Sequence, residues 1–204
     1  MKIICIGRNY VAHIEELKND IPSEPVFFMK PDTSLLSNNQ SFEIPEWSQN
    51  LHHEIELVIK ICRTGKNIDV QSAGKYYQEI GLGIDFTARD VQNQLISKGL
   101  PWEKSKAFDK AAALGTTFIS KTDFPDVKSL SFHLDINGET IQKGNSGLMM
   151  YGFDDIISHI SKYVTLSEGD LIYTGTPSGV GPVKSGDHLE GFLDDRKLLD
   201  FMVL

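Results

Sequence analysis

The sequence predicts a mixed, mainly β fold of the α+β class, with short helices set around the strands. Apolar runs of strand character outnumber helical segments, and the helices do not alternate regularly with the strands as a doubly wound sheet requires. Asn137-Gly138, lying between two alternating stretches, is the strongest short hairpin signal in the chain. No repeat, low-complexity tract or linker interrupts the pattern, so the 204 residues are read as one domain, 1–204.

The elements follow in order. Ile3 to Ile6 read as a buried strand and His13 to Leu17 as a short helix. Asn19 to Pro25, with two prolines, reads as a mobile loop, and Val26 to Met29 as a strand stopped by Pro31. Asn50 to Ile61 form a long strand. Asp69 is placed to cap a helix from Val70 to Glu79, with Ala73, Tyr76, Tyr77 and Ile80 on one side. Gly81 to Asp85 form a tight strand ending in a carboxylate. Thr87-Ala88-Arg89-Asp90 reads as a capping box opening a helix to Lys98, closed by Gly99 and Pro101. A hairpin is expected over Ser131–Ile141, an amphipathic helix over Phe153–Val164, and strands over Leu171–Thr174 and Leu198–Leu204.

Hydrophobic residues at 40% supply a core, and charged residues at 24% are ordinary for a globular chain. A net charge of −8 argues against nucleic acid and anionic membrane surfaces as partners, because both call for Lys/Arg patches. No apolar stretch reaches the roughly 18 residues of a membrane span. Met1 to Gly7 reads as a strand and not as a targeting core. Cys5 and Cys62 lie in apolar runs and read as reduced core thiols, so a cytoplasmic location is expected.

The chemistry concentrates at Glu54 and Glu56. On a strand they share a face while Ile55, Leu57, Ile59 and Ile61 share the other. Two like charges ~7 Å apart repel. Two readings stand: a solvated polar strand face, or ligands for a hard cation. Asp85 would add a third carboxylate from a neighbouring strand, a set that suits Mg²⁺ or Mn²⁺. His13 and Glu16, three apart, share a helix face, as a base and its partner or as an ordinary surface pair. His52 and His53 precede the glutamates, either behind the site or exposed. Lys106 could meet a developing oxyanion or belong, with Lys104, to a solvated loop. The glycine loop Thr174 to Pro182 could present N–H groups and hydroxyls to a carboxylate, and it lacks the pattern of a P-loop.

These stretches together resemble the fumarylacetoacetate hydrolase family, in particular its short acylpyruvase type. The matching segments are Gly7-Arg8-Asn9-Tyr10 with His13 and Glu16, Phe28-Met29-Lys30-Pro31, His53-Glu54-Ile55-Glu56-Leu57, Asp85 to Gln92, Gly99-Leu100-Pro101-Trp102 through Lys106, and Thr174 to Pro182. The resemblance implies a β-roll of mixed strands, a homodimer, and a Mg²⁺ or Mn²⁺ site on Glu54, Glu56 and Asp85. It implies that His13 and Glu16 activate water, that Lys106 stabilises an oxyanion, and that Arg8, Lys30, Arg89, Gln92 and Thr176 contact a small keto-acid substrate. The activity so implied is hydrolysis of a C–C bond in 2,4-diketo acids such as acetylpyruvate or fumarylpyruvate. Oxaloacetate decarboxylation and isomerisation of an unsaturated keto diacid are the alternatives on the same site. A non-catalytic metal-binding dimer is a further alternative, against which the joint presence of His13, Glu16 and Lys106 speaks.

Overall fold

The computed structural model describes residues 1–204 except Asn19 and Asn38. The chain opens with β1 (Ile3–Gly7), α1 (Val11–Glu16), β2 (Val26–Lys30) and β3 (Leu35–Leu36). It continues through β4 (Leu51–His53), β5 (Ile55–Ile61), α2 (Val70–Ala73), β6 (Tyr77–Asp85), β7 (Thr87–Ala88), α3 (Arg89–Ser97) and α4 (Glu103–Lys106). The remainder is β8 (Ala112–Leu114), β9 (Ile119–Ser120), β10 (Ser131–Ile136), β11 (Glu139–Asn145), α5 (Phe153–Tyr163), β12 (Leu171–Tyr173), β13 (Gly181–Pro182), β14 (His188–Leu193) and β15 (Arg196–Met202).

Three sheets result, which is the mainly β, mixed-strand fold the sequence predicts. The largest runs β2-β1-β12-β5-β6-β8-β3, with β9 also paired to β6; a second runs β11-β10-β14-β15, and a third β13-β4-β7. β1 pairs parallel with β12 and antiparallel with β2, so the large sheet is mixed. Strand β5 lies near its middle, and both of its faces are almost wholly buried. The aliphatic face of β5 joins a core that extends from Ile4 to Val203. Cys5 is buried, Cys62 is half-buried, and neither is bonded to another cysteine.

Several expectations are corrected. The long strand expected from Asn50 to Ile61 breaks at Glu54: β4 pairs with β7 and β13, whereas β5 pairs with β6 and β12. Glu54 therefore stands where the chain passes from one sheet to another. The helix expected to Glu79 ends at Ala73, before Gly74, and Asp69 makes no side-chain cap. Tyr77 and Ile80 belong to β6 because they pair with Ile61 and Ile59, long-range contacts that outweigh a helical spacing. The capping box at Thr87 does not form. Thr87 is held in β7 opposite His52, and the Asp90 carboxylate accepts from Gln49 N and Ser48 Oγ, each at 2.8 Å. The last strand starts at Arg196, two residues before the expected Leu198.

The hairpin turn is formed by Asn137 and Gly138 with φ of 55° and 82°, as a type I′ connection requires. Gly83 is needed for a different reason. A Cβ there would lie 2.5 Å from Tyr173 Cε1 and 2.7 Å from Ala113 O, so neither neighbour leaves room. Gly83→Ala should cost about 1–3 kcal/mol through overpacking. Gly138→Ala, strained only in φ and facing open space, should cost about 1–2 kcal/mol. Chemical denaturation of both variants checks the ranking, and an unaffected Gly83→Ala would contradict the packing described.

Candidate active site

Antiparallel pairing of Ile55 with Ile84 and Glu56 with Gly83 sets the end of β6 beside the sheet switch at Glu54. Oxygens of Glu54, Glu56 and Asp85 consequently lie within 4.8 Å of one another. The three residues are 5%, 1% and 1% exposed, which removes the reading of a solvated strand face.

Three cations surround them. Lys106 Nζ stands 2.7 Å from both Glu54 Oε2 and Asp85 Oδ2 and donates to Thr87 Oγ1 at 2.6 Å. Arg89 Nη2 pairs with Glu54 Oε1. Lys30 Nζ lies 2.7 Å from Asp85 Oδ1, an ion pair without hydrogen-bond alignment, and donates to the carbonyls of Lys106 and Ala111. Glu56 has no ion-pair partner among the described residues. Its Oε2 accepts from Gly175 N at 2.6 Å. Gly175 can do this because φ is +99° and a Cβ would meet Asn9 Cβ at 2.7 Å. The glycine loop thus presents an N–H to a carboxylate, and that carboxylate is the protein's own.

The electrostatics follow from these contacts. Burial alone would raise Glu54, but Lys106 and Arg89 outweigh it and hold the carboxyl far below the usual range. Glu56 goes the other way: burial, then the neighbouring Asp85 and Glu54, push it well up. Burial would lower Lys106, yet Asp85 and Glu54 raise it, so the ammonium stays charged. Burial also lowers His53, and pulls His52 down to about 4 with help from Arg89.

A hard divalent cation fits this donor set. All three side chains offer carboxylate oxygen, and Asp85 Oδ1 accepts no hydrogen bond although it is buried. Glu56, raised by burial and by its two acidic neighbours, is the member of the set without an ion-pair partner among the described residues.

The cavity, about 60 Å³, is lined by these carboxylates and by Arg8, His13, Arg89, Gln92, Lys106 and Thr176, among others. His13 Nδ1 lies 3.1 Å from Glu16 Oε2, and Glu16 Oε1 accepts from Gly179 N at 3.0 Å. His13 lines the cavity, whereas Glu16 sits outside it with its side chain 32% exposed. A carboxylate only accepts, so Nδ1 carries the proton and Nε2 is left as the acceptor. Arg8 reaches the cavity from a left-handed turn (φ 60°) beside Asn9, whose side chain bonds Thr174 O, Tyr151 O and Tyr151 N. Gln92 accepts from Arg89 Nη1.

Two expected substrate contacts are placed differently. Lys30 has a side chain with no exposed surface and does not line the cavity; it holds Asp85 from behind. Thr176 lines the cavity, but its hydroxyl is committed, donating to Ile55 O at 2.9 Å and accepting from Gln142 Nε2 at 3.0 Å. The solvated-loop alternative for Lys106 also falls, since it is 4% exposed at the end of α4. Asn19, the start of the expected mobile loop, lies outside the described residues.

One functional residue was missed. Gln142, fully buried on β11, accepts from Ile55 N at 3.1 Å and is bonded to His53 Nδ1 at 2.8 Å; its amide donates to Thr176 Oγ1 and Pro177 O. It ties β5, the strand that carries Glu56, to the glycine loop. A lone polar residue in an otherwise exposed strand offered no signal, because its partners are distant in sequence.

The profile of the fumarylacetoacetate hydrolase C-terminal family matches residues 2–198. The chain belongs to this family. It is 40% identical over 201 residues to the Mus musculus protein named oxaloacetate tautomerase FAHD1, mitochondrial, covering 98% of this chain and 90% of that one. A Dictyostelium discoideum protein named oxaloacetate decarboxylase, mitochondrial, is 45% identical over 186 residues, covering 91% and 85%. The crystal structure of fumarylpyruvate hydrolase from Pseudomonas aeruginosa with Mn²⁺ and pyruvate superposes with a TM-score of 0.94 at 32% identity, covering 100% of this chain and 89% of that one. The family consists of hydrolases, decarboxylases and isomerases, and the oxaloacetate alternative fits these relatives better than acylpyruvate hydrolysis does.

The Glu56 environment gives a signed expectation. A carboxyl raised by folding stabilises fully below its unfolded value of about 4.3, and that stability is lost as pH rises through the folded value. Glu56→Gln fixes the neutral form. In chelator, wild type should therefore lose stability relative to Glu56→Gln as pH climbs above about 4.3. Excess Mn²⁺ should reverse the difference, because it binds only the ionised carboxylate. Thermal melts across that range are the check; parallel curves would contradict the assigned environment.

Proposed function

We propose that this chain is a divalent-cation-dependent enzyme acting on a dianionic 2-oxo acid of the oxaloacetate type, by keto–enol interconversion and decarboxylation. The observation that carries the reading is the charge balance of the cavity. Three carboxylates, Glu54, Glu56 and Asp85, face three cations, Arg8, Arg89 and Lys106, along its walls. Lys30, ion-paired to Asp85 from behind, adds a further positive charge, so with Mg²⁺ or Mn²⁺ the centre is net positive and favours a dianion over a monoanion such as acetylpyruvate. The names of the relatives and the small volume point the same way.

The bound ion would supply Lewis-acid polarisation of the 2-oxo carbonyl. The chain's own groups do the rest. Arg8 and Arg89 fix the acid by its carboxylates. His13, held in one tautomer by Glu16, takes a proton from C3 on Nε2. The electrons of that C–H bond become the C2=C3 double bond, the carbonyl π pair moves onto oxygen, and that oxygen takes a proton from solvent to give the enol while His13 later returns its proton to solvent; the reverse passage regenerates the keto form. This assignment makes His13 the base and Glu16 its positioning residue. Lys106 pairs with both Glu54 and Asp85 and holds them close together. In decarboxylation the C3–C4 bond breaks and its electrons take the same path, with no base required.

Hydrolysis of an acylpyruvate is the second reading, favoured by the Mn²⁺- and pyruvate-bound fumarylpyruvate hydrolase neighbour. There the dyad would activate water and Lys106 would meet the oxyanion. A homodimer is part of the proposal, and light scattering at micromolar protein should give twice the chain mass; a monomer would refute it.

The dyad separates the reactions. His13→Ala should slow Mg²⁺-dependent deuterium exchange at C3 of oxaloacetate by on the order of 10²-fold or more, while decarboxylation falls far less. Proton NMR in D₂O follows both. Wild-type exchange no faster than the spontaneous rate, or full exchange in chelator, would sink the reading.

A further inference from the structure

We infer that Trp102, backed by Phe28, is the partition that sets how long a 2-oxo acid the cavity admits. This rests on the 2-oxo acid reading above.

Trp102 and Phe28 line two spaces at once. One is the charged cavity of about 60 Å³; the other is an apolar groove of about 390 Å³ between β2 and the segment 99–102. Their rings meet edge to face, with centroids 6.1 Å apart and planes at 63°. The indole rests on β1 as well, since a Cβ on Gly7 would lie 3.9 Å from Trp102 Cζ3. Trp102 also caps α4, the helix whose last residue is Lys106, and Lys106 Nζ lies 5.1 Å from the centroid of the Phe28 ring. The wall is therefore braced against the charged centre and stands between it and the groove.

The chemistry of the two sides differs. The cavity presents guanidinium, ammonium and carboxylate groups, whereas the groove is walled by Val26, Phe27, Met29, Leu100 and Pro101, with Glu103 its only charged side chain. A straight alkyl chain attached to a 2-oxo acid would have to pass through the Trp102 indole to reach that apolar surface. With the indole in place the cavity has room for only a few water-sized groups. Without it, several methylenes would be buried in the groove, and burying even two corresponds to roughly tenfold in affinity.

The test uses the full chain loaded with Mn²⁺ and isothermal calorimetry with pyruvate and 2-oxooctanoate. Wild type should prefer pyruvate by at least about tenfold. Trp102→Ala should reverse that ratio, and Trp102→Phe, which keeps an aromatic wall, should leave it close to wild type. Phe28→Ala opens the same wall from β2 and should shift the ratio in the same direction if Trp102→Ala does not fold. An unchanged ratio in every variant that binds pyruvate, or wild type that takes 2-oxooctanoate as tightly as pyruvate, would overturn the partition alone. Folded wild type that binds oxaloacetate but neither monoacid would overturn the partition alone, and failure to bind oxaloacetate as well would overturn the 2-oxo acid reading with it.

Discussion

Three buried carboxylates held within 4.8 Å are the constraint on which the rest of the structure turns. Unpaired charges in such surroundings are too costly to bury. Lys30, Lys106 and Arg89 are therefore buried too, each on a different element, and each must be brought to within contact of Glu54 or Asp85. The chain supplies them from β2, from the end of α4 and from the start of α3. Those short helices and turns make sense as carriers of cations more than as packing units. Glu56 has no such cation among the described residues and accepts instead from the backbone N–H of Gly175.

A second layer keeps this centre rigid without touching its oxygens. Gln142 uses both its carbonyl and its amide, so one buried side chain joins β4, β5 and the glycine loop. Asn9 does the same for the turn that carries Arg8. Fully satisfied buried amides of this kind cost little and fix one arrangement. On the α1 side, Gly179 N donates to Glu16 and joins the dyad to the loop.

Much of this was legible in the sequence, for physical reasons. The alternation of Glu54 and Glu56 against Ile55 and Leu57, and the carboxylate ending a glycine-rich strand at Asp85, are local signals with a two-residue period. The Asn137-Gly138 turn and the Phe153 helix are equally local, and they stand where expected. The failures share a different cause. Tyr77 and Ile80 follow a helical spacing yet pair with β5, and Lys30 reads as a ligand contact yet lies behind Asp85. Both outcomes depend on partners far away along the chain. β14 was overlooked although its alternation of half-buried and buried residues is clean, because its Gly191 and flanking charges masked the pattern.

The pairing of β1 with β12 has a consequence for how the protein is made. Ile3 lies beside Leu171, and Lys2 N donates to Asp170 Oδ1. β1 thus finds its parallel neighbour only after a segment 168 residues further along the chain has been made. Parallel pairing across so long a loop gives a high contact order and slow assembly. Throughout that interval Ile3, Ile4 and Ile6 have no interior to enter, and the chain depends on the antiparallel partner β2 to cover its most apolar edge.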